Sequence, residues 1–347
     1  MENFGFWSVV MTNFILVLYL ALGGVTLSAV LHLCNGQWRF QVRYLACSLA
    51  VLFPIAFVLL LIILASGEAA FPWLTHAHDG EHHLPGWHNY TFLVVREVLG
   101  FLVVAGLYLL FIKLQHQAAV DSSYAAQRRF RNVALLIPFF YFAYGSMVAW
   151  DFEMTQGLNP GWHSASYGAY HFQSNFHMFL AFFTVFLFFL NRSGKLVAGG
   201  VQSYIFNFMA QFMLAMTILW TYLYFTQYLI MWYGRLPEEM IRYNNMMDHM
   251  AGLWWLFLAL KFVIPFCTLA FTPNRHNPVV IVMVAFSILI GSWLERYTWI
   301  SGSTDPQYYH TPMSSLWDIG VTVAVIVVSW VAVKWSLTRY GLIRNGN

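Results

Sequence analysis

The sequence predicts an all-α polytopic membrane protein with about nine transmembrane helices. Hydrophobic residues make up 60% of the 347 residues, whereas charged residues make up only 9%. A soluble domain has about a quarter of its residues charged, so this chain has too little polar surface to fold in water. Its apolar runs reach the length of a membrane span, and no alternation of period two indicates barrel strands. Each span is therefore predicted to be a helix.

Nine apolar segments follow one another along the chain. Each is long enough to cross the hydrocarbon core, which is roughly 30 Å thick. The sixth would extend about 50 Å as a helix, so we expect it to tilt or to project beyond the bilayer. The predicted spans are 8–31, 45–66, 91–112, 132–150, 171–191, 201–233, 249–271, 277–299 and 316–336.

The number of basic residues differs strongly between the loops on the two sides of the membrane. Only Arg235 and Arg242 follow the sixth span, whereas twelve bases follow the odd-numbered spans. The positive-inside rule therefore predicts an N-terminus outside the cell and a C-terminus in the cytoplasm. Residues 1–7 hold one acid and no base, so the first span is predicted to be a retained helix. The twelve bases are Arg39, Arg43, Lys113, Arg128, Arg129, Arg131, Arg192, Lys195, Arg275, Lys334, Arg339 and Arg344.

Cysteine and histidine spacing predicts no redox metal in this chain. Cys34, Cys47 and Cys267 are isolated, so neither an iron–sulfur cluster nor a c-type haem has local ligands, and packing roles are favoured. His177 lies clearly within a span, and His249 lies at the start of another. The two could face each other as haem ligands, but hydrogen bonds to neighbouring helices are the favoured interpretation.

The segment 71–90 carries five histidines between the second and third spans. Such a tract could bind zinc or copper at an exposed site. Because it lacks the ligand spacing of a tetrahedral site, a solvated or partner-contacting loop is the favoured interpretation.

Several ionisable residues lie within the predicted spans. Arg96 and Glu97 lie about 8–9 Å into the third span, at 1.5 Å per residue. Glu295 ends the eighth span, and Lys261 lies near the middle of the membrane. Charge in lipid is costly, so we predict a buried network for these four residues, with a proton-handling or ligand-binding role. Four acids near span ends could join it, but positions at the membrane interface are favoured for Asp151, Glu153, Asp248 and Asp318.

The end of the sixth span carries a helix-breaking sequence, WYGRLPEE. Gly234 and Pro237 are predicted to end one helix, so that Glu238 and Glu239 lie at the N-terminus of the next.

Several fragments together resemble one protein family. They are FPWLTHAH followed by NYTFLVVREV, AWDFEMTQGLNPGWHSASYGAY, TQYLIMWYGRLPEE and KFVIPFC followed by GSWLERY. In this order they are similar to the NrfD-like, or polysulfide-reductase, membrane subunits. Within that family the chain most resembles the F subunit of bacterial alternative complex III, a quinol:electron-acceptor oxidoreductase. Members of this type often carry a further N-terminal span.

The resemblance implies a multi-pass subunit of the bacterial inner membrane with two four-helix bundles. These are residues 1–150 and 171–299, joined by the external loop 151–170 and followed by an external loop, a ninth helix and a tail in 300–347. The implied partners are a second NrfD-like quinol-binding subunit, a periplasmic iron–sulfur subunit, and multihaem and monohaem cytochromes c. Haem c and iron–sulfur clusters would belong to those partners, while this chain could contact menaquinone or menaquinol.

The family positions and the buried charges together give two sets of candidate residues and no catalytic residue. The proton-pathway candidates are Glu97, Asp151, His177, Lys261 and Glu295. The candidates for an electrostatic anchor or a quinone site are Arg96, Asp151, Gln227, Tyr233 and Arg296. The function we expect is a scaffolding and proton-conducting subunit; the alternatives are direct menaquinol binding, secondary transport and a structural anchor.

Overall fold

The computed structural model describes residues 4–74, 86–154, 162, 164–197, 199–234, 237–304, 306, 309 and 311–344, with the backbone alone at 237 and 238. Across these ranges nine helices are long and apolar enough to cross a membrane, and no β-strand is present. The predicted all-α polytopic fold is confirmed. The helices are α1 Phe4–Leu33, α2 Arg39–Ala65, α3 Tyr90–Val120, α4 Tyr124–Met154, α5 Tyr167–Arg192, α6 Ser203–Gly234, α7 Glu239–Leu269, α8 Pro278–Ser301 and α9 Leu316–Arg339.

Helix starts follow local capping chemistry. Four helices begin after a residue whose side chain accepts a hydrogen bond from the first turn, which satisfies a backbone N–H that has no partner within the helix. Gly234 and Pro237 separate α6 from the helix that continues as α7, as the sequence predicts. The capping residues are Asn89 before α3, Ser123 before α4, Asn277 before α8 and Ser315 before α9.

Three of the nine helices depart locally from α-geometry. In α2, a 3₁₀ segment spans Ser48–Leu52. Both α4 and α7 contain a π-helical turn, at Trp150–Met154 and Ala259–Val263 respectively. In addition, α7 is kinked at Met250, where φ is −125° and ψ is 22°. A π-turn inserts one extra residue and re-aims the side chains around it.

Helix α1 is the most buried of the nine and lies at the centre of the molecule. It packs against α2 and α4 from the first half of the chain, and against α5 and α8 from the second half. Gly24 permits the approach of α2, because a Cβ at this position would lie 2.1 Å from the carbonyl oxygen of Ala46. The assignment of residues 1–150 and 171–299 to separate bundles stays a prediction.

Helix α9 is the least buried and packs against α1 and α2. Ser336 donates to the backbone oxygen of Ser48 (3.0 Å), and Asn13 donates to Thr322 (2.9 Å). Most of its remaining surface is apolar and exposed, as expected of a helix that faces lipid.

Because consecutive spans alternate in direction, the start of α1, the end of α4, the starts of α5 and α7 and the end of α8 lie at one end of the molecule. We call this end the N-side. The basic loops lie at the other end, which we call the basic side. The sequence predicts that the N-side faces out of the cell.

Candidate functional site

Five ionisable side chains meet toward the N-side of the helix bundle. All five have an exposed fraction of 1% or less. They come from four helices that are distant in sequence, so only the folded chain brings them together. We call this set the ion network; it consists of Glu153, His171, Lys261, Glu295 and Arg296.

Glu295 lies at one end of the ion network and accepts five hydrogen bonds. Its Oε1 accepts from Arg296 Nη2 (2.8 Å) and Trp220 Nε1 (2.9 Å), and its Oε2 accepts from Ser174 Oγ (2.8 Å). Lys261 Nζ and Tyr170 OH also donate to it. This number of donors offsets the cost of removing the carboxylate from water.

Glu153 lies at the other end of the ion network. Arg296 Nη1 donates to both of its carboxylate oxygens (2.9 and 2.7 Å), and Tyr167 OH donates to Oε2 (2.7 Å). Arg296 therefore bridges the two carboxylates. With Lys261 and Arg296 charged and His171 neutral, the two cations balance the two carboxylates, which is the condition under which buried charges are tolerated.

His171 has two hydrogen-bonding arrangements available to its ring. Nδ1 lies 2.8 Å from Glu153 Oε2 and 3.0 Å from Arg296 Nη1, and Nε2 lies 2.8 Å from Tyr19 OH. If Nδ1 carries the proton, it donates to Glu153 and Nε2 accepts from Tyr19. If Nε2 carries it, the ring donates to Tyr19, and Nδ1 accepts from Glu153 once that carboxyl group is protonated. Each tautomer therefore has its partners in one protonation state of Glu153, so the ring can pass a proton from Glu153 to Tyr19.

Helical spacing explains how α5 supplies its part of the site. Tyr167, His171 and Ser174 are four and three residues apart and share one face, while Tyr170 lies four residues before Ser174. The two π-turns supply the partners from α4 and α7, because one contains Glu153 and the other contains Lys261.

Arg242 is a further buried cation that the sequence analysis placed in an outer loop. It donates to the backbone oxygens of Glu153 (2.6 Å), Met154 (3.3 Å) and Trp299. Its guanidinium lies 4.5 Å from the ring centroid of Trp162. The arginine thus ties the end of α4 to the end of α8 and holds the π-turn that carries Glu153.

A second charged pair lies beside the ion network, also toward the N-side. Arg96 donates to Asp151 through Nε (2.7 Å to Oδ2) and Nη2 (2.6 Å to Oδ1). Trp87 Nε1 donates to the same carboxylate (2.7 Å), and its ring lies 4.1 Å below the guanidinium. Phe92 packs on Arg96 as well, at 4.8 Å. We call Trp87, Arg96 and Asp151 the arginine clamp.

Glu97, next to the arginine clamp, has a different environment. It is fully buried, and no hydrogen-bond donor among the described residues reaches either of its carboxyl oxygens. Its charged neighbours are Asp151 and Arg96. Because an unpartnered buried carboxylate is costly, we expect the neutral, protonated form at this position.

The structure corrects one part of the sequence analysis. Asp151, Glu153 and Asp318 have exposed fractions of 1% or less, so these carboxylates are enclosed by the protein and do not extend to water at the membrane interface. Asp248 is exposed, as expected for a residue at the membrane interface. The sequence analysis placed these acids at the interface because they lie near the ends of predicted spans. The π-turn of α4 turns Glu153 inward, and a hydrophobicity pattern does not reveal such a turn.

Other predicted site residues have no hydrogen bond or ion pair with the ion network among the described contacts. His177 is buried and its Nε2 lies 3.2 Å from Thr217 Oγ1, whereas His249 is exposed and its ring contacts Tyr309, so the structure does not bring these two histidines together. Gln227 is buried and donates to Tyr243 OH (2.8 Å). Tyr233 is 81% exposed at the end of α6.

Some predictions concern residues outside the described ranges. Most of the histidine-rich segment lies in 75–85, and the side chain of Glu238 is also outside the described part. Glu239 follows Pro237 in the first turn of its helix, and its backbone oxygen accepts from Trp162 Nε1 (3.0 Å).

Within the described residues, no group of three or more His, Cys, Asp or Glu side chains could hold a metal ion. Cys47 is buried, whereas Cys34 and Cys267 are exposed and do not have the predicted packing role.

A file of buried polar side chains leads from His171 toward the basic side, and the sequence analysis missed it. The Tyr19 ring packs on Tyr141 (5.5 Å between centroids), and Tyr108 OH bonds Thr26 Oγ1 (2.9 Å). Farther along, Ser28 donates to Gln115 Oε1 (2.8 Å). Side chains with hydroxyl groups are common in membrane helices, so nothing in the sequence distinguished the residues of this file from other polar residues in the spans. The polar file consists of Tyr19, Tyr141, Tyr108, Thr26, Ser28 and Gln115.

A scan of the chain against protein-family models finds no match, and a search of curated proteins finds no significant relative. The fold, the ion network and the arginine clamp show that the chain is a multi-pass membrane protein with charged side chains in its interior.

Proposed function

We propose that this chain is an integral membrane subunit of a respiratory quinol:electron-acceptor oxidoreductase similar to alternative complex III, and that it conducts protons. The observation that carries the proposal is the ion network, in which hydrogen bonds link two carboxylates, two cations and a histidine inside nine apolar helices. Charged groups at such depth are costly and are retained chiefly where ions or protons move.

His171 provides the chemical step in this proposal. In one tautomer its Nδ1–H faces Glu153, and in the other its Nε2–H faces Tyr19. A proton that arrives at Glu153 can therefore leave from the opposite ring nitrogen. Tyr19 begins the polar file, so this exchange would deliver the proton to the end of the file that lies nearest the ion network. Beyond Tyr19 the next contact is ring packing on Tyr141, not a hydrogen bond.

The proposed partners follow from the family resemblance. Electron transfer would take place on a second NrfD-like quinol-binding subunit, an iron–sulfur subunit, and multihaem and monohaem cytochromes c. The site of action would be the bacterial inner membrane.

Purification of the assembly tests membership of such a complex. The native membranes are solubilised mildly, and the chain is isolated through a tag at its C-terminus. We expect co-purification of c-type cytochromes with a reduced-minus-oxidised haem spectrum, an iron–sulfur protein and a second NrfD-like subunit. A chain that purified alone would contradict this part of the proposal and would favour secondary transport.

Proton conduction is tested separately in the reconstituted complex. Glu295→Gln removes the carboxylate that Lys261 and Arg296 share, so we expect quinol-driven proton release to fall at least about tenfold, a range typical of a lost proton-transfer group. Asp248→Asn removes an exposed carboxylate and is the matched control.

Glu295→Gln leaves Lys261 without its carboxylate partner and could therefore disturb folding, so a second variant serves as the folding control. Glu295→Gln combined with Lys261→Gln is neutral at both positions and should restore assembly without restoring proton release. Unchanged proton release per electron in an assembled Glu295→Gln complex would overturn the proton pathway.

Direct quinol binding is a second candidate function, and the arginine clamp favours it. Trp87 and Phe92 flank Arg96, and Trp87 also contacts the ring of Trp150 (6.2 Å). Aromatic faces beside a cation and a neutral carboxyl suit a quinol headgroup, which needs stacking and a proton acceptor or donor. Photolabelling with an azido-menaquinone should then mark residues 86–100; labelling confined to a partner subunit would contradict this candidate.

A further inference from the structure

Three arginines and one histidine lie at the basic side of the molecule, where α1 ends and where α2 and α4 begin. Arg39 and Arg43 are four residues apart at the start of α2 and share a helix face, while Arg131 comes from α4. Arg131 directly follows Phe130, the residue whose ring packs on His32 at the end of α1. The His32 ring is fixed by Phe130, at 4.3 Å between ring centroids. We call these three arginines the arginine triad.

The protein supplies no counter-charge to the arginine triad within its described residues. The ion pairs found there all lie toward the N-side. Arg39 donates to the backbone oxygen of Gly36 (3.1 Å), and Arg43 donates to Tyr44 OH (3.0 Å). Asp121, the acid in the described loops of this side, is exposed and accepts from the backbone N–H of Ser123.

The surroundings of the arginine triad place it at the depth of lipid headgroups. The guanidinium groups of Arg39 and Arg43 lie 4.4 and 5.0 Å from the ring centroid of Phe40, which is 54% exposed. Tyr204 and Phe208 at the start of α6 are also exposed nearby, and Phe208 contacts Trp38 (6.1 Å). Aromatic side chains concentrate at the boundary between hydrocarbon and headgroups.

We propose that the arginine triad binds the phosphate of an anionic phospholipid such as phosphatidylglycerol. Arginine presents several N–H donors in a planar fork that matches phosphate oxygens. The exposed Phe40 ring would contact the lipid chains below the headgroup. The net negative charge of the lipid matters, because a zwitterionic headgroup would leave the triad uncompensated.

Native mass spectrometry of the purified full-length protein tests this proposal. The detergent-solubilised protein is mixed with equal amounts of dioleoylphosphatidylglycerol and dioleoylphosphatidylcholine, and the lipid retained is measured. We expect preferential retention of phosphatidylglycerol. Arg39→Gln combined with Arg43→Gln should weaken it about 25-fold, since each basic residue near a membrane surface contributes about fivefold in affinity.

Two further variants separate the site from general charge and from misfolding. Arg128→Gln combined with Arg129→Gln removes two exposed charges from the same side and should keep the preference. Arg39→Lys combined with Arg43→Lys keeps the charge but removes the planar fork, so it should weaken binding by less than the glutamine variant does. Equal loss in the Arg128 and Arg129 variant, or full retention in the Arg39 and Arg43 glutamine variant, would overturn the proposal. Displacement of the lipid by millimolar inorganic phosphate would also overturn it, since the site would then bind free phosphate.

Discussion

At the scale of single residues, Glu97 and Asp151 are neighbouring buried acids with opposite surroundings. Asp151 receives three hydrogen bonds from Arg96 and Trp87, whereas Glu97 receives none from the described residues. We therefore expect Glu97→Gln to change the free energy of unfolding by less than about 1.5 kcal/mol, as for a replacement of similar volume. Asp151→Asn should cost about 3–5 kcal/mol, because it leaves the Arg96 charge buried without its partner.

This contrast is measured by unfolding each variant in detergent through titration with sodium dodecyl sulfate. Asp248→Asn, at an exposed acid, serves as the baseline. Equal destabilisation by Glu97→Gln and Asp151→Asn would mean that Glu97 is ionised and held by a partner.

Tyr19 and Tyr141 offer a second matched pair. Both are fully buried and their rings touch, but Tyr19 OH bonds His171, whereas Tyr141 OH has no partner among the described residues. Tyr19→Phe should destabilise the protein by about 1–3 kcal/mol, because it leaves a buried ring nitrogen of His171 unsatisfied. Tyr141→Phe should be close to neutral.

Tyr19→Phe also tests proton transfer. In the reconstituted complex, Tyr19→Phe should slow proton release, since the second tautomer of His171 loses its acceptor. The readout is the number of protons released per electron, which a purely structural defect would leave unchanged in the assembled fraction. Proton release in the Tyr19→Phe complex equal to that of the unsubstituted complex would exclude Tyr19 from the path.

At the scale of helices, the contact between α7 and α8 sets the position of Lys261. A Cβ on Gly291 would lie 2.7 Å from Lys261 Cγ and 2.9 Å from Leu260 Cβ. Gly291→Ala should therefore push the π-turn of α7 away from α8 and weaken the contact between Lys261 and Glu295. We expect a cost of about 1–3 kcal/mol, which is typical of overpacking, together with reduced proton release.

Gly252→Ala is the control for this prediction. Gly252 lies in the same helix, and no atom lies within 4 Å of a Cβ built there. This substitution should stabilise α7 slightly, by up to about 1 kcal/mol, since alanine favours the helix over glycine. Similar stability and proton release for the two alanine variants would show that the close approach at Gly291 does not hold the π-turn.

The elements also show what the sequence could and could not predict. Hydrophobic runs predicted all nine spans, because an apolar helix in lipid is fixed by length and composition. Buried charge singled out Lys261 and Glu295, which the fold then pairs. Glu153 was misjudged and His171 was not proposed as a site residue, because both lie near span ends and are turned inward only by a π-turn and by packing against α8. Local patterns do not encode which helix lies opposite.

At the scale of the whole molecule, charge is divided between the two membrane sides. The ion network and the arginine clamp lie toward the N-side, and the arginine triad lies at the basic side. The members of the polar file lie between them, in the first half of the chain. If the positive-inside prediction is correct, the ion network lies toward the outer side, and protons would have to enter the polar file from the cytoplasm.

Cysteine accessibility tests this orientation. Cys34 is exposed at the basic side, and Tyr233 is exposed at the N-side. One chain keeps Cys34 and carries Cys47→Ala and Cys267→Ala; a second carries Tyr233→Cys with all three native cysteines replaced by alanine. In intact spheroplasts, a membrane-impermeant maleimide should label the Tyr233→Cys chain and leave Cys34 unlabelled. Inverted vesicles should give the reverse.

Labelling in detergent is the control, because it shows that each thiol can react once the membrane barrier is removed. Labelling of Cys34 in spheroplasts would mean that the basic side faces outward, against the positive-inside rule. The ion network would then lie toward the cytoplasm, where it could take up protons but could not release them outside. The sidedness of the two cysteines therefore decides whether Glu153 and Glu295 lie at the exit or at the entrance of the proposed proton path.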